Sequence, residues 1–504
     1  RRVIRRLLWS CLLSVSFQSS VSVAHAARVA MDPWLNAPSF DVESASPGAA
    51  RSSSHTVKVF LLGDPDETAV RRAGGRTMTR AGRVHTAEFP RAALSHLSAV
   101  PGLDGVMLAR PMQLFMDVAI DSIHARSLRA LEAGGTWSGH TGAGVIVGIV
   151  DSGVDPTHAD FRHPDGTSRL LDYWDQSDTS GTPPASGYGS AWSGNDLTAL
   201  VRAWDPVGHG THVAGIAVGD GSASQVDSLR YMFAGVAPEA AVVGVAVDLG
   251  FDTHILDAVR HVFDAADRAG LPAVVNLSLG SQFGPHDGRT PLEAGLDTLV
   301  GPGRIIVAAA GNEGEDRVHA ELHVASGGRD SASVFVGPYA PGSGLSFFAV
   351  DAFHSALDAF DLTVVTPGGA RFGPFGPEDA VMDSLTGEGT LFLDQELYPP
   401  EPEKNEIAIL LSNDDPGAPD AARALAVPPP AIGEWRLVFA DRNAAAGGGE
   451  IDLWISLSSI RDIGGNEPYW LRAHDASEEI AAPGTARGVL TVGSFNTKPC
   501  WPDS

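Results

Sequence analysis

The sequence predicts an α/β fold built on a doubly wound, mostly parallel sheet with helices on both faces. Two observations support this fold class. Four mostly apolar runs, of which Val145–Val150 is unbroken, have the pattern of strands that are buried on both sides of a sheet, and segments of helical period lie between them. The runs are Val145–Val150, Ala241–Val247, Ala273–Ser278 and Arg304–Ala310.

Each helix between these runs has its own sequence signal. The first opens at His209, among small residues that allow close packing. The second, Thr253–Ala269, places its apolar residues along one face. The third opens at Thr290, because Thr290 and Glu293 have the spacing of a capping box, and it is predicted to end near Gly301.

A different pattern occupies residues 320–470. Short β-type runs follow one another there, turns rich in Gly, Pro and Asp separate them, and no segment of helical period intervenes. This pattern is typical of a β-sandwich. An apolar run of the earlier kind, Gly488–Gly493, follows it. The sandwich is therefore predicted to be an insertion in an α/β domain that spans residues 140–319 and resumes at 471–504.

The first 26 residues have the pattern of an export signal. Four arginines accompany the short apolar stretch Leu7–Phe17, and Ala24–Ala26 is a small-residue cleavage motif. We therefore expect a secreted or periplasmic protein. Only Cys11 and Cys500 are present, so no disulfide framework is expected.

A small unit is predicted between the export signal and the α/β domain. Residues 27–54 are rich in Ala, Ser and Pro and form a predicted flexible lead-in. Residues 55–120 follow as an α+β unit, with strands at His55–Leu62 and Gly105–Leu108 and a helix at Arg91–Ser98.

Composition and charge exclude several classes of protein. The 504 residues are 43% apolar and 19% charged, which is ordinary for a folded chain of several units. The formal net charge of −26 argues against nucleic acid as a partner, because phosphate binding needs clustered Lys and Arg. No apolar run reaches the ~18 residues that a membrane-spanning helix needs, so no membrane span is expected.

Polar residues occur where three predicted elements should meet one edge of the sheet. Asp151 follows an apolar strand in VIVGIVDSGVD, His209 opens a helix in GHGTHVAG, and Asn312 follows another strand in AAAGNEG. Open α/β sheets bind ligands along the edge where the strands end. A carboxylate there can orient an imidazole base, and an amide can donate to an oxyanion.

These segments, in the order Asp, His, Asn, resemble the motifs of the subtilisin-like serine peptidases (peptidase S8, subtilase family). The resemblance implies that Asp151 orients the base His209 and that Asn312 donates a hydrogen bond to the oxyanion. It also implies that the NLSLG segment borders the backbone of the substrate. The residues expected to do so are Ser278, Leu279 and Gly280.

The nucleophile of this family is a serine in a G-T-S-M-A-type segment after a final Ala-Pro-Gly. The candidate Gly166–Ser168 lies between the Asp and His motifs and lacks the right flanks, so we interpret it as a loop. An Ala-Pro-Gly is present at Ala482–Gly484, but no G-T-S follows it before Ser504. We therefore expect the chain to end before the catalytic serine and to be inactive as it stands.

No cofactor is required for this chemistry. The resemblance implies a structural calcium ligand at Asp160, a carboxylate of the kind that calcium prefers. A catalytic zinc cluster is disfavoured, because the pair His209 and His212 is spaced i, i+3 and no H-E-x-x-H motif is present. Its candidate ligands would be Asp151, His158, Asp160, His163, His209 and His212. His212 is instead expected to be a packed or hydrogen-bonded neighbour whose loss mainly affects packing.

The resulting hypothesis is an exported serine endopeptidase that hydrolyses peptide bonds in polypeptide substrates. Residues 55–120 resemble the family's propeptide, which implies an intramolecular inhibitor and chaperone that self-cleavage removes near residues 115–125. Gly433–Leu457 resembles the jelly-roll modules of some family members. Two alternatives stay open: a non-catalytic pseudoprotease whose β-sandwich binds a partner or glycan, and a metallohydrolase.

Overall fold

A computed structural model describes most of the chain from residue 56 onward. The described ranges are 29–31, 56–109, 113–114, 125–132, 135–194, 196–197, 205–223, 230–231, 233–314, 316–339, 345–385, 387–396, 404–413, 428–443, 448–460 and 467–494. Three predicted features lie outside them: the export signal, nearly all of the lead-in, and the self-cleavage region at residues 115–124.

The helices and strands of the described residues are as follows. The α-helices are α1 (Glu67–Arg72), α2 (His209–Val218), α3 (Asp252–Ala269) and α4 (Pro291–Leu299). The first strands are β1 (Ala30–Met31), β2 (Thr56–Gly63), β3 (Arg76–Ala81), β4 (Val84–Pro90), β5 (Leu103–Leu108), β6 (Gln113–Leu114), β7 (Arg129–Leu131), β8 (Trp137–Gly139), β9 (Ile146–Asp151), β10 (Leu170–Asp175), β11 (Ser190–Ser193), β12 (Ala241–Ala246), β13 (Ala273–Leu277), β14 (Leu279–Gly280) and β15 (Arg304–Ala309). The others are β16 (His319–Ala325), β17 (Arg329–Val336), β18 (Phe347–Ser355), β19 (Phe360–Val365), β20 (Arg371–Phe375), β21 (Ala380–Ser384), β22 (Thr390–Glu396), β23 (Lys404–Ser412), β24 (Gly433–Asp441), β25 (Gly448–Ser458), β26 (Tyr469–Arg472) and β27 (Leu490–Val492). None of the described helices is both long and apolar enough to cross a membrane.

The central sheet has seven strands in the order β11-β10-β12-β9-β13-β15-β27. All neighbouring strands are parallel except the edge pair β10 and β11. The four predicted apolar runs form β9, β12, β13 and β15, so the α/β class with a mostly parallel sheet is confirmed. The pattern does not predict β10, because Asp172 and Asp175 interrupt its apolar residues.

Helices cover both faces of this sheet. The neighbouring β9 residues Ile149 and Val150 point to opposite faces, and they belong to different cores. Ile149 shares its core with Val213 of α2, and Val150 shares the other with Val262 of α3. Gly148 allows α3 to approach β9 closely, since a Cβ at that position would lie 2.5 Å from Cγ1 of Val262.

The predicted capping box of α4 is confirmed. The Thr290 hydroxyl accepts a hydrogen bond from the Glu293 amide, and the Glu293 carboxylate accepts one from the Thr290 amide. The helix ends at Leu299, two residues before the predicted end.

The N-terminal unit is a five-stranded sheet in the order β1-β5-β2-β4-β3. It packs against α3 and α4, and Phe60 and Val84 belong to the core that includes Leu256 and Leu296 of these helices. The hairpin β3–β4 is missing from the sequence prediction, because its alternating polar residues give no continuous apolar run.

The strands β16 to β26 form two antiparallel sheets. One has the order β16-β25-β18-β23-β22-β21 and the other the order β20-β19-β24-β17-β26. Side chains of both sheets, including Val350 and Ile409 of the first and Val334 and Leu437 of the second, share one hydrophobic core. The two sheets therefore pack face to face.

The outer face of the first of these sheets continues into the N-terminal unit. Phe347, Phe392 and Leu410 of β18, β22 and β23 belong to the same hydrophobic core as Val59 and Leu108 of the N-terminal sheet. The N-terminal unit is thus in apolar contact with both other parts of the molecule.

Candidate active site

Three of the predicted site residues lie along one edge of the central sheet. Asp151 ends β9, Ser278 follows β13, and Asn312 lies three residues after β15. These strands are adjacent and parallel. Because neighbouring strands are ~4.8 Å apart, the three strand ends fall within about 10 Å of one another.

Asp151 and His209 form the central contact of the site. Nδ1 of His209 lies 2.7 Å from Oδ1 of Asp151, and the backbone N–H of Ser152 lies 2.7 Å from the same oxygen. The Asp151 side chain is fully buried, whereas 15% of the His209 side chain is exposed. A carboxylate on the Nδ1 side favours the tautomer with its proton on Nδ1, in which Nε2 is the acceptor.

Asp151 is a buried carboxylate with few hydrogen-bond donors. Burial raises the pKa of Asp151, and the hydrogen bonds from His209 and Ser152 oppose that rise. Its other oxygen, Oδ2, has no hydrogen-bond partner among the described residues. The buried carboxylate is thus short of donors, and a protonated imidazole beside it would compensate its charge.

Two residues without a predicted role hold the start of α2. Asp205 accepts hydrogen bonds from the backbone N–H groups of Gly208 and Thr211, each at 2.8 Å. Asp205 also accepts a hydrogen bond from Ser152 Oγ at 2.8 Å. The Ser152 Oγ in turn accepts a hydrogen bond from the Gly210 N–H at 2.9 Å. These contacts satisfy N–H groups that have no partner inside the helix. The only sequence signal was an Asp four residues before His209.

Glycine is required beside the Asp151–His209 contact. A Cβ on Gly210 would lie 2.1 Å from the carbonyl oxygen of Gly153 and 2.9 Å from Cβ of Asp151. Gly208, which precedes the helix, has a φ of 82°, in the left-handed region that suits glycine. Gly210 therefore allows α2 to approach the end of β9 closely.

His212 does not have the expected packing role. It lies one turn into α2, and its side chain is exposed. The side chain is thus not packed as expected, and the alternative that His212 is a hydrogen-bonded neighbour stays a prediction.

Asn312 is exposed at the carboxyl end of β15. Its backbone N–H donates to Oε2 of Glu313 at 2.8 Å, and Nε2 of Gln282 donates to the same oxygen at 3.3 Å. Gly311 before it has a φ of 116°. Glu313, which sequence reasoning did not single out, thus fixes the backbone of Asn312.

The predicted substrate edge pairs with a segment of the chain itself. Leu279 and Gly280 form β14, which is antiparallel to β6, with Leu279 opposite Leu114 and Gly280 opposite Gln113. Ser278 precedes this pair and is half-buried. The edge therefore already accommodates an extended peptide.

The two segments considered for the nucleophile have structural contacts. Ser168 forms an isolated bridge with Arg162, and its hydroxyl accepts a hydrogen bond from the Leu170 amide at 3.0 Å, as expected of a loop. Ala482 forms a bridge with Ser281, just after the substrate edge.

Asp160 is half-buried beside residues 220–223. Its Oδ1 accepts a hydrogen bond from the backbone N–H of Ala223 at 2.7 Å, and its carbonyl oxygen accepts one from Arg169 at 2.7 Å. Among the described residues, the groups of three side chains close enough to share a metal ion lie elsewhere. Calcium binding at Asp160 stays a prediction.

Comparison with known proteins identifies the family. Residues 142–396, about half of the chain, match the subtilase family (Peptidase_S8), and the matched range includes Asp151, His209 and Asn312. The chain belongs to the subtilase family. Its similarity to individual members of that family is more limited.

Two curated relatives and one solved structure illustrate this. The chain is 33% identical over 191 residues to subtilisin-like protease PopC of Myxococcus xanthus, and the aligned residues make up 36% of each chain. It is 28% identical over 235 residues to serine protease AprX of Bacillus subtilis, and the aligned residues make up 45% of each chain. These matches thus span between a third and a half of the relatives' length. The CspB protease of Clostridium perfringens superposes with a TM-score of 0.58 at 23% identity, over 75% of this chain and 73% of that chain. At this identity the superposition shows a shared fold.

Proposed function

We propose that this subtilase is an exported serine endopeptidase that cleaves polypeptide substrates. The observation that carries the proposal is the 2.7 Å contact between His209 Nδ1 and the buried Asp151 carboxylate. The family supplies the third member, a serine nucleophile. A carboxylate that orients an imidazole base, and an imidazole that deprotonates a serine, are the groups that acyl transfer through such a serine needs.

In this proposal His209 takes the proton of the attacking serine through Nε2. Asp151 holds the ring by Nδ1, and its carboxylate stabilises the imidazolium that forms through the charge and the hydrogen bond at Nδ1. His209 later returns the proton to the leaving amine. The cycle needs no net change in the charge of Asp151.

Asn312 is the proposed oxyanion donor. Its side-chain amide is exposed at the edge of the sheet, and no hydrogen bond joins it to another described residue. An Asn that served to hold the turn would use its side chain for that purpose. Here Glu313 and Gly311 hold the turn instead, so the amide is available for a substrate oxygen.

The substrate is proposed to bind as an extended strand beside Ser278, Leu279 and Gly280. Peptides add to a free sheet edge through backbone hydrogen bonds, which recognise any extended polypeptide. The pairing of β14 with β6 supports this, because β6 is the segment that follows the N-terminal unit. We infer that β6 occupies the position of a substrate and that the N-terminal unit acts as a propeptide-like inhibitor.

Cleavage after β6 should not release the N-terminal unit at once. Its side chains Phe60 and Val84 are buried against α3 and α4, and Val59 and Leu108 belong to the core shared with the β-sandwich. Separation would expose these apolar surfaces to water, and the free-energy cost of that exposure is about 25 cal/mol per Å² of apolar surface.

The experiment is labelling of the full-length protein with a fluorophosphonate probe, which reacts with activated serines. The wild type should be labelled and His209→Ala should not, at equal folded content. Labelling should persist in the presence of a chelator, which separates this function from a metallohydrolase. A folded wild type that takes up no label would overturn the proposal and leave the non-catalytic alternative, in which the β-sandwich binds a partner or glycan.

A further inference from the structure

The buried side chain of His319 raises a question that the proposed peptidase does not answer. His319 is at the start of β16, opposite Trp454 of β25, and its side chain is fully buried. Neither ring nitrogen has a hydrogen-bond partner among the described residues. An unsatisfied buried polar group costs ~1–3 kcal/mol, so a native protein rarely keeps one without a reason.

Two carboxylates face this histidine. Oδ1 of Asp452 lies 3.9 Å from Nε2 of His319, which is too far for a hydrogen bond. Glu478 also offers an oxygen, and the three ligand atoms all lie within 4.8 Å of one another. Two ligands of a tetrahedral zinc ion, each about 2.1 Å from it, are about 3.4 Å apart. The three side chains therefore have the spacing of a metal site after small adjustments.

The surroundings favour a cation. A cleft of ≈ 430 Å³ adjoins the site, and its lining residues include five acidic side chains but only two cations, Arg289 and Lys404. Lys404 binds Oδ2 of Asp452 at 3.0 Å, which orients the carboxylate and leaves Oδ1 toward His319. The acidic residues are Asp287, Asp358, Glu450, Asp452 and Glu478.

The side chain of Trp454 links the candidate ligand His319 to the segment that carries Glu478. Trp454 stacks beside His319, with ring centroids 4.7 Å apart, and its indole N–H donates to the carbonyl oxygen of Glu478 at 3.1 Å. The segment that carries Glu478 continues to Ala482, which pairs with Ser281 beside the candidate active site. A metal ion here would link the β-sandwich to the segment that leads back to β27 of the central sheet.

We propose that His319, Asp452 and Glu478 form a structural divalent-metal site that binds Zn²⁺. An imidazole combined with two carboxylates suits zinc, whereas calcium prefers oxygen ligands alone. Water would supply the fourth ligand. The site is separate from Asp151 and His209, so it does not depend on the proposed peptidase activity.

The test is calorimetric titration of the metal-free full chain with Zn²⁺, together with its thermal unfolding. The wild type should bind one Zn²⁺ ion and its Tm should rise with Zn²⁺; the rise should be smaller in Glu478→Gln, whereas any rise with Ca²⁺ should be equal in the two proteins. Glu478→Gln should weaken Zn²⁺ binding by at least about tenfold. Since Glu478 is exposed, the Tm of the metal-free variant should match that of the wild type.

Glu450→Gln is the matched control. Glu450 lines the same cleft, but it belongs to a second, more exposed group with Glu321 and His323. Its replacement should leave Zn²⁺ affinity unchanged. The proposal fails if the wild type binds no Zn²⁺, if Glu478→Gln binds as the wild type does, or if Glu450→Gln alone abolishes binding. His319→Gln should also lose the ion, and Glu478→Gln decides the matter if that variant does not fold.

Discussion

Replacing Gly210 by alanine should separate the geometry of the Asp151–His209 contact from helix propensity. Gly210 lies in α2 one residue after His209, and its Cβ would meet the Gly153 carbonyl oxygen at 2.1 Å. Gly215 lies later in the same helix, and no atom lies within 4 Å of the corresponding Cβ. Gly215→Ala is therefore a matched control, because both variants gain the same intrinsic helix propensity.

The expected magnitudes follow from these distances. An alanine in a helix is favoured over glycine by about 1 kcal/mol, and Gly215→Ala should be stabilised by roughly that amount. In Gly210→Ala, the contact must lengthen from 2.1 Å to an ordinary 3.4 Å or more, so α2 must move by about 1 Å. Forced packing of this kind costs ~1–3 kcal/mol, which offsets or exceeds the gain. Because the helix-propensity gain is the same in both variants, we expect Gly210→Ala to be about 1–3 kcal/mol less stable than Gly215→Ala.

Two measurements check this. Thermal unfolding should place the Tm of Gly210→Ala below that of Gly215→Ala, and proton NMR should show a changed resonance for the Nδ1–H of His209 only in Gly210→Ala. In the active full-length protein, a 1 Å displacement of the base should lower kcat about 100-fold. Equal stability of the two variants, with an unchanged His209 resonance, would refute the reasoning.

Three further outcomes are expected. Asn312→Ala in the full-length enzyme should lower kcat about 100-fold or more with KM nearly unchanged, and a loss within threefold would contradict the oxyanion role. His212→Ala should change stability by less than about 0.5 kcal/mol, whereas His209→Ala should abolish turnover; kinetics and urea unfolding of both variants test this. Burial lowers the pKa of His286 and of His354 to about 4. Because the folded pKa is below the unfolded value of 6.5, the unfolded chain takes up the proton first, and each group lowers the stability of the fold by about 3 kcal/mol as the pH falls from 6.5 to 4. His354→Gln, which takes up no proton in this range, should lose correspondingly less stability in urea unfolding between pH 6.5 and 4, and an equal loss would contradict the assignment.

Much of the central fold was predictable because its signals are local. Strands of the central sheet such as β9 and β12 carry continuous apolar runs, and the capping box of α4 lies within four consecutive residues. Strands with a polar face or an interrupting charge gave no such signal. The hairpin β3–β4 and the strand β10 are examples.

The candidate site divides in the same way. Asp151, His209 and Asn312 stand in motifs with distinctive neighbours, so each was found from its own segment. Asp205 and Glu313 support them through contacts that a motif does not encode. The exposure of His212 was also not predictable, because a single helical position does not reveal what packs against it.

The sequence by itself determined the family, the parallel sheet and the residues that lie at its carboxyl edge. Periodicity and motifs depend on residues that are near one another in the chain, and local backbone geometry converts them into elements. Only the tertiary structure decided which faces of the helices and sheets pack against one another. It brought His319 and Asp452 together from strands far apart in the sequence, and it placed β6 on the substrate edge. It also joined the N-terminal sheet to the β-sandwich through one apolar core. Such contacts depend on the packing of whole elements, and the hydrophobic effect that drives this packing is non-directional, so no single segment specifies them.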